Sequence, residues 1–96
     1  MYRLRAYGIS IGDFQSLLLA QGNACFVCQE AFNRPTRDAQ VDHDHVTGIV
    51  RGLLCKRCNL VLGAIKDDQG VLLAMYEYLI GFGHGRVRRQ VLTPKP

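Results

Sequence analysis

Between Val41 and Asn59 the chain reads V-D-H-D-H-V-T-G-I-V-R-G-L-L-C-K-R-C-N. Asp42, His43, Asp44 and His45 put two carboxylates and two imidazoles into consecutive positions. Cys55 and Cys58 close the stretch as a C-x-x-C pair, with Asn59 directly behind them, and a second pair, Cys25 and Cys28, lies upstream. Two such pairs supply the four thiolates of a tetrahedral zinc site, because the short turn inside each pair aims both sulfurs at one ion. A redox dithiol would need only one pair, and nothing else in the chain suggests the electron transfer that an iron–sulfur cluster would serve. A closed, structural zinc is therefore the expected reading. Cys28 and Cys55 enclose 26 residues, positions 29 to 54, which is room for a loop and a hairpin between the two halves of the site.

The cluster that the cysteines bracket has a bland reading and a sharp one. A lone histidine is usually a surface or core residue. Here the zinc halves, by converging, would bring the strand bearing Asp42 beside the helix bearing Asn59. A carboxylate and an amide oxygen are hard ligands suited to Mg²⁺ or Mn²⁺, and a neighbouring imidazole, His43, could take a proton from water. A base for the nucleophile and a cation on the leaving oxygen are the parts that phosphodiester hydrolysis requires.

The elements that must position these residues can be read from spacing. Val41 to His45 and Ile49 to Leu54 read as two short strands with Thr47-Gly48 as the turn. Asp42 and Asp44 fall on one face and His43 and His45 on the other. Gly52 interrupts the second strand and suggests a close backbone approach. A helix is expected from Cys55 to about Leu62, ended or closely packed at Gly63. A final helix over about 69 to 80 should be capped by Asp67 or Asp68, with Leu72, Met75, Tyr76 and Leu79 as a core-facing stripe. Upstream, Ser10 with Asp13 three residues on forms a capping-box variant opening a helix with Ile11, Phe14, Leu17 and Leu18 at helical spacing. Phe14 and Leu17 are read as core, and Gln21-Gly22-Asn23 stops the helix. Residues 1 to 8 could form a short helix ended by Gly8. Residues 29 to 40 read as a loop from which Phe32 covers the first cysteine turn.

At 96 residues the chain is one small domain, a size at which a metal commonly supplements the core. No apolar run is long enough to span a bilayer and no leader pattern opens the chain, so a cytoplasmic location and no membrane partner are expected. The formal charge of +4 favours a polyanionic partner only mildly. Arg51, Lys56 and Arg57 follow the Asp/His cluster, while Arg86, Arg88, Arg89 and Lys95 gather near the C-terminus. His84, set among glycines, has no assigned role.

The run C-x-x-C … V-D-H-D-H-x-T-G-x-V-R-G-L-L-C-x-R-C-N-x-x-L-G, with Y-G-I-S before it and K-D-D at 66 to 68, closely resembles the phage recombination endonuclease VII family, among the HNH or ββα-metal nucleases. The likeness covers about Leu4 to Leu79. It implies a small α+β fold with a ββα-metal (His-Me finger) core, a four-cysteine zinc site and flanking helices. Cys25, Cys28, Cys55 and Cys58 match the family's zinc ligands, and Asp42 and Asn59 match the residues that hold the catalytic Mg²⁺ or Mn²⁺. His43 matches the general base and His45 a second active-site histidine near the scissile phosphate. Asn59 stands where other HNH enzymes often place a histidine, and Asp44 is expected to orient a neighbouring group. DNA would be the partner, held by Arg51, Arg57, Arg86, Arg88 and Arg89. The implied organisation is a zinc-stapled nuclease domain over 1–85 and a basic, mobile tail over 86–96, acting in a phage-infected or bacterial cytoplasm. Endonuclease VII acts as an intertwined dimer on four-way junctions and other branched DNA. That leaves branched or general duplex DNA as substrate, by nicking or cutting, and a homodimer through the first and last helices open. The alternative is a non-catalytic zinc-stapled DNA-binding module; a binder, however, needs none of Asp42, His43 and Asn59.

Overall fold

A computed structural model describes residues 7–82. Helix α1 (Ile11–Ala20) starts as its sequence dictates. The Ser10 hydroxyl accepts from the Asp13 N–H, and the Asp13 carboxylate accepts from the Ser10 N–H. Phe14 and Leu18 are its buried face. It stops where the chain turns left-handed at Gly22 and Asn23, with φ of 65° and 56°. The first cysteine turn follows, closed by a bridge between Ala24 and Ala31 and by the Cys25 N–H donating to the Glu30 carbonyl. Phe32 is buried against it, as expected.

The stretch read as a loop is not all loop: Pro35–Asp38 forms a one-turn helix, α2. Proline at its first position needs no N–H partner there, and the Asp38 carboxylate accepts from the Arg34 N–H. Strands β1 (Gln40–His43) and β2 (Val50–Leu54) then pair antiparallel, Val41 opposite Leu53 and Asp42 opposite Gly52, with a bulge between Asp42 and His43. Ile49, expected in the second strand, lies before it and is exposed. Helix α3 (Lys56–Ala64) follows at once with Cys55 as its N-cap, and it runs through Gly63 to a C-cap at Ile65. Helix α4 (Gln69–Phe82) comes last. Its first turn is capped by Asp68, whose carboxylate accepts from the Val71 N–H. The protein is thus a small α+β fold, a two-stranded sheet with four helices among the described residues.

The core is Phe14, Leu18, Cys25, Phe32, Ala39, Val41, Leu53 and Leu54. It sits where α1, the first cysteine turn and the hairpin meet. The expectation that α4 packs a stripe into this core is corrected. Leu72, Met75, Tyr76 and Leu79 are 46 to 52% exposed, and every described side chain from Gln69 to Gly81 is exposed. Its apolar residues, Val71, Leu73, Tyr78 and Ile80 among them, occur around the whole helix, so there is no single stripe to bury. No helix among the described residues is long and apolar enough to cross a membrane. The helix expected at 1 to 8, the tail, His84, Lys95 and the arginines at 86, 88 and 89 lie outside the described residues, apart from Tyr7 and Gly8.

Candidate metal centre and active site

The two C-x-x-C pairs converge. The sulfurs of Cys25, Cys28, Cys55 and Cys58 all lie within 4.8 Å of one another, and Cys28 Sγ is 3.9 Å from Cys55 Sγ. Zinc–sulfur bonds of about 2.3 Å in a tetrahedron set the sulfurs roughly 3.8 Å apart, so the donor set and its spacing both fit zinc. Burial raises the Cys25 thiol, but the backbone N–H groups of Cys55, Cys28 and Val27 lower it further, to a net value of about 7. Burial pushes the Cys55 and Cys58 thiols up. A metal would have to displace those protons. The Arg57 guanidinium is held charged by the Cys28 sulfur and by Glu30, whose carboxylate is 3.5 Å away. This cation, expected on DNA, therefore flanks the metal centre.

One residue read only as part of a helix stop holds the two halves together. Gln21, at the end of α1, donates Nε2 to the carbonyls of Ala24 and Leu53, both at 2.9 Å, and accepts the Leu53 N–H at 3.0 Å. Leu53 faces this way because alternate residues of an edge strand point their polar groups away from the partner strand. The Phe26 N–H completes the edge by donating to the Leu53 carbonyl. The close approach expected at Gly52 is here: a Cβ on it would stand 3.3 Å from Gln21 Oε1.

On the hairpin, Asp42 is the one buried polar residue of the described chain, at 6% exposed. Arg51, across the hairpin, donates Nε to Oδ2 at 2.7 Å and an Nη2 proton to Oδ1 at 2.9 Å. That bidentate fork holds the guanidinium well above its ordinary pKa. Arg51 also reaches Asp67 Oδ1 at 3.2 Å, so this second expected DNA contact is engaged by carboxylates. The His43 and His45 rings share a face, as alternation suggested, with centroids 4.9 Å apart; the Tyr7 ring is 5.3 Å from His43. Asn59 donates Nδ2 to Gln40 Oε1 at 3.0 Å. Gln40 and Asp42 lie on the same side of β1, about 7 Å apart along the strand. Among the described residues, the groups that Asp44 orients are backbone ones. Its Oδ1 accepts the N–H groups of Val46 and Thr47, which shape the turn and hold its carboxyl below the usual range.

Asp67 was read only as a candidate helix cap. Its Oδ2 is 3.0 Å from His45 Nδ1, and its carboxyl is held low by His45 first and Arg51 second. The signal was a surplus: two adjacent aspartates before a helix that needs one cap.

The family model of recombination endonuclease VII matches residues 2–81. The Gene 59 protein of Mycobacterium phage D29 is 43% identical over 77 residues, which are 79% of this chain and 46% of that protein. The Gene 59 protein of Mycobacterium phage L5 is 42% identical over 78 residues, 80% of this chain and 47% of that protein. The chain spans about half the length of these curated relatives.

Proposed function

The chain belongs to the recombination endonuclease VII family, and from that premise we propose that it is a metal-dependent DNA endonuclease that hydrolyses phosphodiester bonds. The reading is supported by a four-thiolate cluster, a buried carboxylate on β1, two imidazole rings packed together just after it and an α3 amide that bonds back to β1 through Gln40. The run β1–β2–α3 is read as the ββα-metal core, residues 1–85 as the nuclease domain and 86–96 as a DNA-binding tail.

Zinc on the four cysteines is structural, since a closed thiolate site leaves no position for substrate. The Asp42 carboxylate and Asn59 Oδ1 fit a hard divalent ion. Asp42 already sits against a cation, the guanidinium of Arg51, and Asn59 has committed its Nδ2 to Gln40. Mg²⁺ or Mn²⁺ held there would supply positive charge to a phosphate oxygen and the departing 3′-oxygen. A ring nitrogen of His43 takes the proton from the attacking water. His45 faces the scissile phosphate, and Arg51, on exchanging a carboxylate for a phosphate, holds the strand. Arg57 and the arginines at 86, 88 and 89 extend that contact, and the exposed apolar residues of α4, together with α1, are read as the surface of a homodimer.

The test is cleavage of supercoiled plasmid and of a synthetic four-way junction, side by side, in Mg²⁺ and in Mn²⁺, by wild type and His43→Ala. Cutting by wild type alone supports the reading, and the ratio between substrates gives the branch preference. Folded, zinc-loaded protein that binds both DNAs and cuts neither in either ion would leave the non-catalytic binding module.

A further inference from the structure

We propose that Asp67 is a positioning residue of this site, fixing the ring of His45 and the guanidinium of Arg51 from the turn between α3 and α4. The proposal rests on the nuclease reading for its kinetic consequence and on geometry alone for its structural one.

The turn is an unusual piece of backbone. Lys66 and Asp67 are consecutive non-glycine residues in the left-handed region, with φ of 55° and 57°. Aspartate tolerates that region better than most residues, but lysine has no local reason to adopt it. Conformations of this kind persist where the surroundings over-determine them, and they concentrate at functional sites. Here the turn is fastened to the end of α3: the Lys66 N–H donates to the Gly63 carbonyl and the Asp67 N–H to the Leu62 carbonyl, both at 3.0 Å. Capping does not explain Asp67, because Asp68 performs that task for α4.

What the turn achieves is delivery of one carboxylate to two side chains remote in sequence. Oδ2 meets His45 Nδ1 at 3.0 Å and Oδ1 meets Arg51 Nη2 at 3.2 Å. Each oxygen serves a different partner. The His45 side chain is 61% exposed while that of Asp67 is 24% exposed, so an outward-facing ring is anchored by a mostly covered anion. A carboxylate on Nδ1 selects the tautomer with the proton there and leaves Nε2 directed away from the anchor. Arg51, in turn, has a second seat. If a divalent ion displaces it from Asp42, or a phosphate draws it off that carboxylate, Asp67 keeps the guanidinium beside the site.

The experiment uses Asp67→Gly and Asp67→Asn in the full chain. Glycine removes the carboxylate while suiting the positive φ, so the turn survives; asparagine keeps the shape and tolerance of φ but not the charge. The first readout is the ¹⁵N signature of the His45 ring at neutral pH, assigned with His45→Gln. Wild type should show the Nδ1–H tautomer, and Asp67→Gly a mixture. The second is steady-state cleavage of whichever DNA the wild type cuts. Loss of an outer partner of an active group lowers kcat by about 10- to 100-fold, with KM within about twofold and zinc content unchanged. An unchanged His45 tautomer in Asp67→Gly overturns the proposal, as does wild-type kcat, or a loss of kcat that only follows a lowered melting temperature. A wild type that cuts nothing overturns the nuclease reading instead, and the ¹⁵N arm still decides whether Asp67 holds His45.

Discussion

Replacing Gln21 with alanine should loosen the joint between α1, the first cysteine turn and β2 without touching any thiolate. Gln21 makes three hydrogen bonds to backbone groups, two of them on Leu53, which is 0% exposed. Leu53 cannot turn its N–H to solvent, because the residue is pinned opposite Val41 in the hairpin. An orphaned buried donor costs about 1–3 kcal/mol and each lost neutral hydrogen bond about 0.5–1.5 kcal/mol. The Leu53 carbonyl keeps the Phe26 N–H as a partner, and Gln21 itself is half-buried, so water can reach part of the gap. One orphaned donor and two further lost bonds span about 2–6 kcal/mol, and these considerations put the total at about 3 kcal/mol, in the lower half of that range. In a domain this small that lowers the melting temperature by roughly 12–24 °C. The assay is urea unfolding of the zinc-loaded protein followed by circular dichroism, with Gln15→Ala on the exposed side of α1 as control. A Gln21→Ala protein within about 0.5 kcal/mol of wild type, the spread of ordinary surface changes, would refute the reasoning and mean that the edge of β2 is satisfied some other way.

Cys58→Ser, or stripping zinc with a chelator, should abolish the folded signal, because so small a core cannot hold the hairpin against α1 without the metal; retained circular dichroism and melting would contradict this. Zinc affinity should rise with pH. Cys25 is lowered to about 7, so below that value the ion must displace its proton as well. Cys55 and Cys58 are raised, so their protons must leave when the ion binds. Competition with a zinc indicator from about pH 6 to about pH 8 checks the direction, and a flat affinity would remove the assignment of these thiols as ligands. Gly48→Ala should destabilise by about 1 kcal/mol, because Gly48 has a φ of 77° that a side chain disfavours; urea unfolding reads the change directly. Leu73→Lys with Ile80→Lys on α4 should give a monomer by sedimentation if the wild type dimerises through this helix, and an unchanged dimer would move the interface elsewhere.

What the sequence made legible was whatever its own spacing encodes. The capping box at Ser10, the stop at Gly22 and Asn23, the hairpin turn at Gly48 and the two C-x-x-C turns are local devices, each complete within a few residues. The small α+β class was implied by the family resemblance, and the order of these devices agrees with it. What stayed hidden depends on contacts between distant positions. Gln21 reaches Leu53 across 32 residues and Asp67 reaches His45 across 22, and neither pairing leaves a periodic trace. The stripe on α4 misled for a different reason: Leu72, Met75, Tyr76 and Leu79 do recur at helical spacing, but so many of their neighbours are apolar that the pattern selects no face.

Arg51 carries the remaining lesson about charge. Counted along the sequence, it adds to the net +4 and suggests a cation waiting for phosphate. In the fold it is committed to Asp42 and Asp67. A carboxylate as covered as Asp42 is costly to leave charged and uncompensated, so a cation against it stabilises the fold. Arg51 fills that role here, and a divalent ion would take it over in the proposed nuclease. On that proposal the two cations would alternate at one carboxylate, and Arg51 would be released toward DNA when the ion binds. On that logic Arg51→Ala should leave Asp42 dependent on the ion, and added Mg²⁺ should raise the melting temperature of the variant more than that of wild type. Equal shifts in a thermal scan would mean that the ion and the guanidinium do not share the carboxylate.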